Sequence, residues 1–71
     1  MDESIESLPR NIIKAEMKRK GVSVKEMCTL LSDEGEILIE TSFNNKISRG
    51  NFSALFFVKC MRVLKVSEIK I

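Results

Sequence analysis

The apolar residues near the start of the chain recur with the period of an α-helix. They are Leu8, Ile12, Ile13 and Met17. Pro9 suits the first turn, where its missing N–H costs no hydrogen bond, and Gly21 can take the left-handed conformation that ends a helix. The pattern predicts a first helix over residues 9–20.

A second helix has the best-marked start in the sequence. Ser23 and Glu26 have the spacing of a capping box, in which each side chain accepts a hydrogen bond from a free backbone N–H at the helix start. The apolar face that follows consists of Val24, Met27, Cys28 and Leu31. Gly35 is the expected stop, so the pattern predicts a helix over residues 23–34.

The segment 36–41 allows two interpretations. Ile37-Leu38-Ile39 is a short apolar run between two glutamates. Periodicity alone does not distinguish a buried connector from a brief strand in a run of this length. Both remain open at this point.

A third, short helix is predicted to be capped by Thr41 or Ser42 and to end near Arg49. Gly50 is its terminator. Phe43 and Ile47, four residues apart, supply the face that points inward.

A fourth helix is predicted over residues 53–65, with Ser53 as its N-cap. Phe52 and Phe57 are spaced as a hydrophobic staple. One broad apolar face carries Phe56, Phe57, Cys60, Met61, Val63 and Leu64. Residues 67–71 alternate between polar and apolar, which allows a short C-terminal strand.

Together these elements predict an all-α fold, a compact bundle of four to five helices formed by residues 9–71 after an acidic, flexible tail at 1–8. The expected core contains Ile13, Met17, Met27, Leu31, Phe43, Ile47, Phe57, Cys60 and Leu64. Seventy-one residues are enough for one domain.

Charge is distributed unevenly although the net charge is only +2. The first eight residues hold three acids and no base, so the remainder carries all 12 basic residues and seven of the 10 acids, a net charge of +5. A basic body is compatible with binding to phosphate backbones. An ordinary solvated surface has the same composition, so charge does not decide between them.

Several functional classes are disfavoured by composition. No apolar run reaches the roughly 18 residues of a membrane span, and the acidic N-terminus lacks the pattern of a signal peptide, so we expect a cytoplasmic protein. With two cysteines and no histidine, we expect no metal and no cofactor. Without a Gly-rich phosphate loop or a nucleophile–base pair, we expect neither an enzyme nor a small-molecule substrate.

Two segments resemble a known family. Gly21 with Ser23-Val24-Lys25-Glu26-Met27, followed by Ile47-Ser48-Arg49-Gly50, resembles the lambda repressor/Cro-type helix-turn-helix family of bacteria and phages. The run containing Asn45-Lys46-Ile47-Ser48-Arg49-Gly50 also looks like a small bacterial family of uncharacterised domains with the motif NKISRG. The first resemblance implies a helical bundle that binds operator DNA. The segment from Gly35 to Thr41 is longer than the turn of about 3–4 residues usual in such motifs.

Candidate contacts with double-stranded DNA follow from the side of the third helix opposite Phe43 and Ile47. The predicted base contacts are Thr41, Ser42, Asn45 and Arg49. The predicted phosphate contacts are Ser23, Lys25, Asn44, Lys46, Asn51 and Ser53. Asparagine can bond adenine in a bidentate way, and it is a poor helix former, so a functional reason for the pair Asn44-Asn45 outweighs a plain solvated face.

The sequence therefore predicts a DNA-binding protein, a transcription regulator with residues 41–49 as its recognition helix. We expect a homodimer that uses Leu55, Val58, Val66 and residues 69–71. The alternative is a protein-interaction or antitoxin-like module that keeps the fold without binding DNA. The modest net charge and the apolar residues among the charges of the fourth helix favour that alternative.

Overall fold

The computed structural model describes residues 5–69. Four helices follow one another: α1 (Leu8–Lys20), α2 (Val24–Ser32), α3 (Glu40–Arg49) and α4 (Ala54–Val63). The described part of the chain contains no strand. The predicted all-α bundle is thus confirmed, with four helices.

The helices enclose one apolar core. α2 packs against both α3 and α4, and α4 also packs against α1. The buried side chains are Ile13, Met17, Met27, Leu31, Phe43, Ile47, Phe56, Cys60, Met61 and Leu64. No polar or charged side chain is buried among the described residues, so the core itself is held together by apolar packing.

The starts of α2 and α4 form as local sequence predicts. Ser23 Oγ accepts from the Glu26 N–H at 3.1 Å, and Glu26 Oε1 accepts from the Ser23 N–H at 3.0 Å. Ser53 Oγ accepts from the Phe56 N–H at 3.1 Å. Each cap satisfies backbone donors that a helix start leaves unpaired, which fixes where the helix begins.

The start of α3 differs from the prediction. The N-cap is Ile39, without a side-chain cap, and neither Thr41 nor Ser42 has that role. The chain reaches the helix in an extended conformation, and the Ile39 carbonyl accepts from the Phe43 N–H at 3.0 Å. Burial of Phe43 sets the phase of this helix, so the hydroxyl residues fall inside its first turns.

The connector between α2 and α3 (residues 33–39) is neither a strand nor buried. After α2, Gly35 takes a positive φ of 86°, and the chain then runs on without regular structure. Leu38 packs against the core, whereas Ile37 and Ile39 are exposed. Side chains alternate between two sides of an extended chain, so only every second residue of this run reaches the body of the protein.

Phe57 was expected in the core, but Phe56 occupies that place. Phe56 is buried and lies against Phe43, with 6.5 Å between ring centroids, and against Phe52 at 5.4 Å. Phe57 is only half-buried because it faces an open apolar groove of about 320 Å³ beside the start of α1. The ring contact of Phe52 is therefore with Phe56 rather than with the predicted staple partner.

The end of α4 comes earlier than predicted. Lys65 takes a left-handed conformation with φ 58°, and the Val66 N–H donates to the Met61 carbonyl. This closure turns Val66 back against the core, where it is half-buried, whereas Leu55 and Val58 of the predicted dimer surface are exposed. No strand forms in residues 64–69, and the rest of the predicted C-terminal strand and dimer tail, residues 70 and 71, lies outside the described residues.

Candidate nucleic-acid interface

One face of α3 is polar and open to solvent. Phe43 and Ile47 point into the core. At about 100° per residue, Asn45 lies opposite them. Thr41 and Ser48 flank it on one side, and Ser42 and Arg49 on the other. All five of these outer residues are exposed.

Several predicted contact residues meet in one open depression of about 340 Å³. Its lining consists of Leu38, Ser42, Asn45, Lys46, Arg49 and Asn51. Three of the four predicted base contacts are therefore brought together with two of the predicted phosphate contacts. Thr41 and Asn44 are exposed on α3 but do not line this depression.

Lys46 is held against the core rather than extended into solvent. Its Nζ lies 5.1 Å from the centroid of the Phe56 ring. An ammonium over an aromatic face is attracted by the negative charge of the ring surface. The positive charge is thus fixed at the edge of the depression. No sequence pattern indicates this contact, because Lys46 and Phe56 belong to different helices.

Arg10 is a residue of this region that the sequence did not single out as a site residue. Its Nη1 donates to the Ser48 carbonyl oxygen at 2.6 Å. Close by, Gly50 has φ 64°, and a Cβ there would lie 3.7 Å from Arg10 Cδ and from the Glu6 carbonyl oxygen. The start of α1 therefore holds the end of α3 and the turn that follows.

The two helix starts proposed for phosphates differ in charge. At the start of α2, the Ser23 hydroxyl is engaged in its capping box with Glu26, whose carboxylate would repel an anion. Lys25 is exposed there, but it lines a separate depression with Glu26, Thr29 and Leu30. The start of α4 at Ser53 has no acid in its first turn. It is therefore the more favourable of the two for a phosphate.

Negative charge is scarce around α3 and α4. The sequence carries no acid between Glu40 and Glu68. On the connector, Glu36 pairs with Lys59 at 3.0 Å and Glu34 pairs with Arg62 at 3.2 Å. These pairs offset the charges of Glu34 and Glu36, whereas Asp33 of the connector and Glu40 at the start of α3 are exposed.

The surroundings of Cys28 and Cys60 disfavour the reactive thiolate form of both side chains. Burial, and then the negative charge of Glu36, raise the pKa of Cys60 to about 12. Burial, and then Glu40, also raise the pKa of Cys28.

Within residues 5–69, no group of three or more Cys, Asp or Glu side chains is arranged to hold a metal ion. In the same residues, none of the helices has the length and apolarity needed to cross a bilayer.

The fold and site together define a small four-helix domain that presents a polar, basic helix face. Residues 6–69 match the family described as "Domain of unknown function (DUF6471)", and the chain belongs to that family. No curated protein and no solved structure matches the chain.

Proposed function

We propose that this protein binds double-stranded DNA in a sequence-dependent way and regulates transcription, with α3 as its recognition helix. The observation that carries the proposal is the grouping of Ser42, Asn45 and Arg49 with Lys46 in one open, carboxylate-free depression on α3. The resemblance to lambda repressor/Cro-type proteins agrees with this role. A bacterial regulator of this kind would act in the cytoplasm, and the role assigns the chain no catalytic step and no cofactor.

The chemistry of the α3 face suits base edges in the major groove. Asn45, at the centre of the face, can donate to N7 and accept from N6 of adenine in a bidentate pair. Arg49 can donate to both acceptors of guanine. Thr41 and Ser42 have hydroxyl groups that tolerate several bases. An α-helix fits the width of the major groove, so these side chains would reach bases from one docked position.

Phosphates would be held around the edge of the same face. Lys46, Asn44 and Asn51 lie close in sequence to the proposed base contacts and can donate hydrogen bonds to phosphate oxygens. Ser53 adds the backbone N–H groups at the start of α4, which attract anions. Ser23 and Lys25 would contact a more distant phosphate, against the opposing charge of Glu26.

A single domain of this size makes few contacts, so the proposal includes a homodimer. Two-fold symmetry would place two α3 helices on half-sites about 34–36 Å apart. The connector 33–39 is longer than the turn of about 3–4 residues in common helix-turn-helix motifs. With this longer connector, α3 would dock on DNA at an angle different from that of the recognition helix in those motifs.

The test is a titration of the protein against genomic duplexes that it retains and against scrambled duplexes, each at two salt concentrations. Asn45→Ala should narrow the difference between specific and scrambled DNA by about 1–3 kcal/mol. Lys46→Ala should weaken binding to both alike and flatten the salt dependence by about one unit.

Lys14→Ala is the matched control, because it removes the same charge from an exposed position on α1. If Lys14→Ala weakens DNA binding as much as Lys46→Ala does, the effect of Lys46→Ala comes from net charge rather than from the α3 face. Absence of salt-dependent binding of the unmodified protein to any duplex would refute the proposal.

The second candidate function is a protein-interaction or antitoxin-like module. It is favoured by exposed apolar side chains on the connector and α4, which DNA would not cover. In that case Asn45→Ala and Arg49→Ala would change no binding activity of the protein, whereas changes at Leu55 and Val58 would remove it.

A further inference from the structure

The end of α3 is closed by a backbone hydrogen bond and by one side chain from another helix. The Gly50 N–H donates to the Ile47 carbonyl at 3.0 Å, and Gly50 then turns the chain with φ 64°. Among residues 5–69, no backbone N–H donates to the next carbonyl, that of Ser48. Arg10 Nη1 of α1 supplies a donor to it at 2.6 Å. A carbonyl that the helix itself leaves open is therefore occupied from a distant part of the sequence.

The Arg10 side chain also lies against the turn that follows. A Cβ on Gly50 would lie 3.7 Å from Arg10 Cδ and 3.9 Å from its Nη1. Both the stem and the head of this half-buried side chain are thus close to the end of α3. A guanidinium keeps its charge at all ordinary pH values and has a rigid, planar set of donors. It therefore fixes the position of the carbonyl that it bonds.

Arg49 lies directly beside this contact and is not engaged in it. It is exposed and lines the open depression on α3 together with Asn45. An arginine in the last turn of a helix is able to bond the last carbonyls of its own helix. Within residues 5–69, however, Arg49 makes no hydrogen bond and no ion pair. The Ser48 carbonyl, one of these last acceptors, is already occupied by Arg10.

We propose that Arg10 is a positioning residue for the DNA-reading face. By occupying the Ser48 carbonyl it fixes the last turn of α3, and it leaves the Arg49 guanidinium free to bond a base. The inference rests on the proposed function, in which Arg49 reads guanine, and it names the residue on which that reading depends. In this role Arg10 acts through Arg49 and contacts no base or phosphate.

The effect of Arg10 is confined to the end of α3, because the first part of the helix has supports of its own. Phe43 is buried against Phe56, with 6.5 Å between the ring centroids. Its N–H also donates to the Ile39 carbonyl at 3.0 Å. Asn45 lies in the turn that Phe43 anchors. Loss of the Arg10 contact should therefore change base recognition by Arg49 and leave recognition by Asn45 in place.

The first test uses the full chain without DNA. Carbon-13 and nitrogen-15 spectra of the unmodified protein and of Arg10→Met would report the Ser48 carbonyl and the Arg49 Nε–H group. In the variant the Ser48 carbonyl shift should change more than any other carbonyl shift of α3. The Arg49 Nε–H should exchange with water more slowly than in the unmodified chain, because Arg49 then bonds the open end of its own helix.

The second test measures affinity for a duplex that the protein retains and for all its single-base variants. Arg49→Ala should reduce discrimination at one base pair about tenfold. Arg10→Met should reduce discrimination at that same base pair at least about threefold, since Arg49 no longer reaches it reliably. The double variant should discriminate no less than Arg49→Ala alone, because the two residues act in series. The preference set by Asn45 should persist in all three.

Two further variants separate positioning from folding and from charge. Arg10→Lys keeps a cationic donor, so its discrimination should lie between those of the unmodified chain and Arg10→Met. Lys14→Met removes a charge from an exposed position one turn away and should keep full discrimination. Circular dichroism at the assay temperature shows which variants are folded. The salt dependence should be the same for Arg10→Met as for the unmodified chain, whereas loss of a phosphate contact would flatten it by about one unit.

Three results would overturn the inference: unchanged Ser48 and Arg49 signals in Arg10→Met, equal loss of discrimination at every base pair, or a flattened salt dependence that makes Arg10 a phosphate contact. The inference and the proposed function fail separately. If the unmodified chain binds no duplex, the DNA-binding role is refuted, while the spectra alone still decide whether Arg10 keeps Arg49 free. If the chain binds DNA and Arg10→Met retains full discrimination, only the positioning role is refuted.

Discussion

Arg10 on α1 and Ser48 on α3 are joined by a hydrogen bond from the guanidinium to a main-chain carbonyl, across 38 residues of sequence. The last carbonyls of a helix have no partner within the helix, and a cation there also opposes the negative end of the dipole. One side chain of α1 thus holds the end of the proposed recognition helix.

Arg10→Met should lower the free energy of unfolding by about 1 kcal/mol, because the Ser48 carbonyl returns to water while the apolar stem is kept. Chemical denaturation measures the change. Lys14→Met, one turn further along α1 at an exposed position, should cost less than half as much. Equal effects of the two variants would show that the bond to Ser48 contributes nothing specific.

The two adjacent phenylalanines of α4 should differ in their contribution to stability. Phe56 is buried between Phe43 and Phe52, so Phe56→Ala should destabilise the fold by about 3–5 kcal/mol. Phe57 lines an open groove, so Phe57→Ala should cost clearly less. Thermal unfolding of both variants in one buffer tests the order, and a larger loss at Phe57 would contradict the packing described for α4.

The buried thiol of Cys60 should make stability depend on alkaline pH. Its pKa is raised from 9.0 to about 12 in the folded chain, so between these values the unfolded chain loses this proton and the folded chain keeps it. The stabilisation is therefore complete below about 9 and is lost as pH rises toward 12.

The measurement is denaturant unfolding of the unmodified protein and Cys60→Ala at a series of pH values from neutral upward. The unmodified protein should be more stable at neutral pH, because the variant leaves a cavity. The difference between the two should shrink above pH 9. A constant difference would mean that the thiol does not titrate on unfolding.

Lys65 takes the left-handed conformation that glycine adopts most easily. Lys65→Gly should therefore raise the free energy of unfolding by about 0.5–1 kcal/mol, since relief of the backbone strain outweighs the added freedom of the unfolded chain. Its carbonyl, which accepts from Lys20 Nζ at 3.5 Å, stays in place. Lys14→Gly, inside α1, should instead be destabilising by about 1 kcal/mol.

Local signals in the sequence predicted the fold well. The capping box of Ser23 and Glu26 and the helix ends at Gly21 and Gly50 depend on residues within one turn of each other, and all of them form. Every predicted core residue is buried except Phe57, which faces an open groove. Phe56 and Met61 are buried as well, although the core prediction did not include them.

Contacts between distant segments could not be predicted. Arg10 with Ser48 and Lys46 with Phe56 join different helices, and sequence spacing carries no signal for either. The sequence predicts Thr41 or Ser42 as the N-cap of α3, because their hydroxyl groups suit that position. The N-cap is Ile39 instead, on an extended connector whose Leu38 packs against the core, and local sequence does not reveal that packing. The exposure of Ile37 could not be predicted either, because it also depends on Leu38 taking the inward side of the connector.

The position of Lys46 over Phe56 makes a core ring into a spectroscopic reporter of the protein surface. The chain has neither tryptophan nor tyrosine, so ordinary ultraviolet absorption and intrinsic fluorescence reveal little about it. A fluorine atom on the Phe56 ring would sense the ammonium 5.1 Å from its centroid. Any anion that draws Lys46 outward would then shift the fluorine resonance of a side chain that the anion never touches.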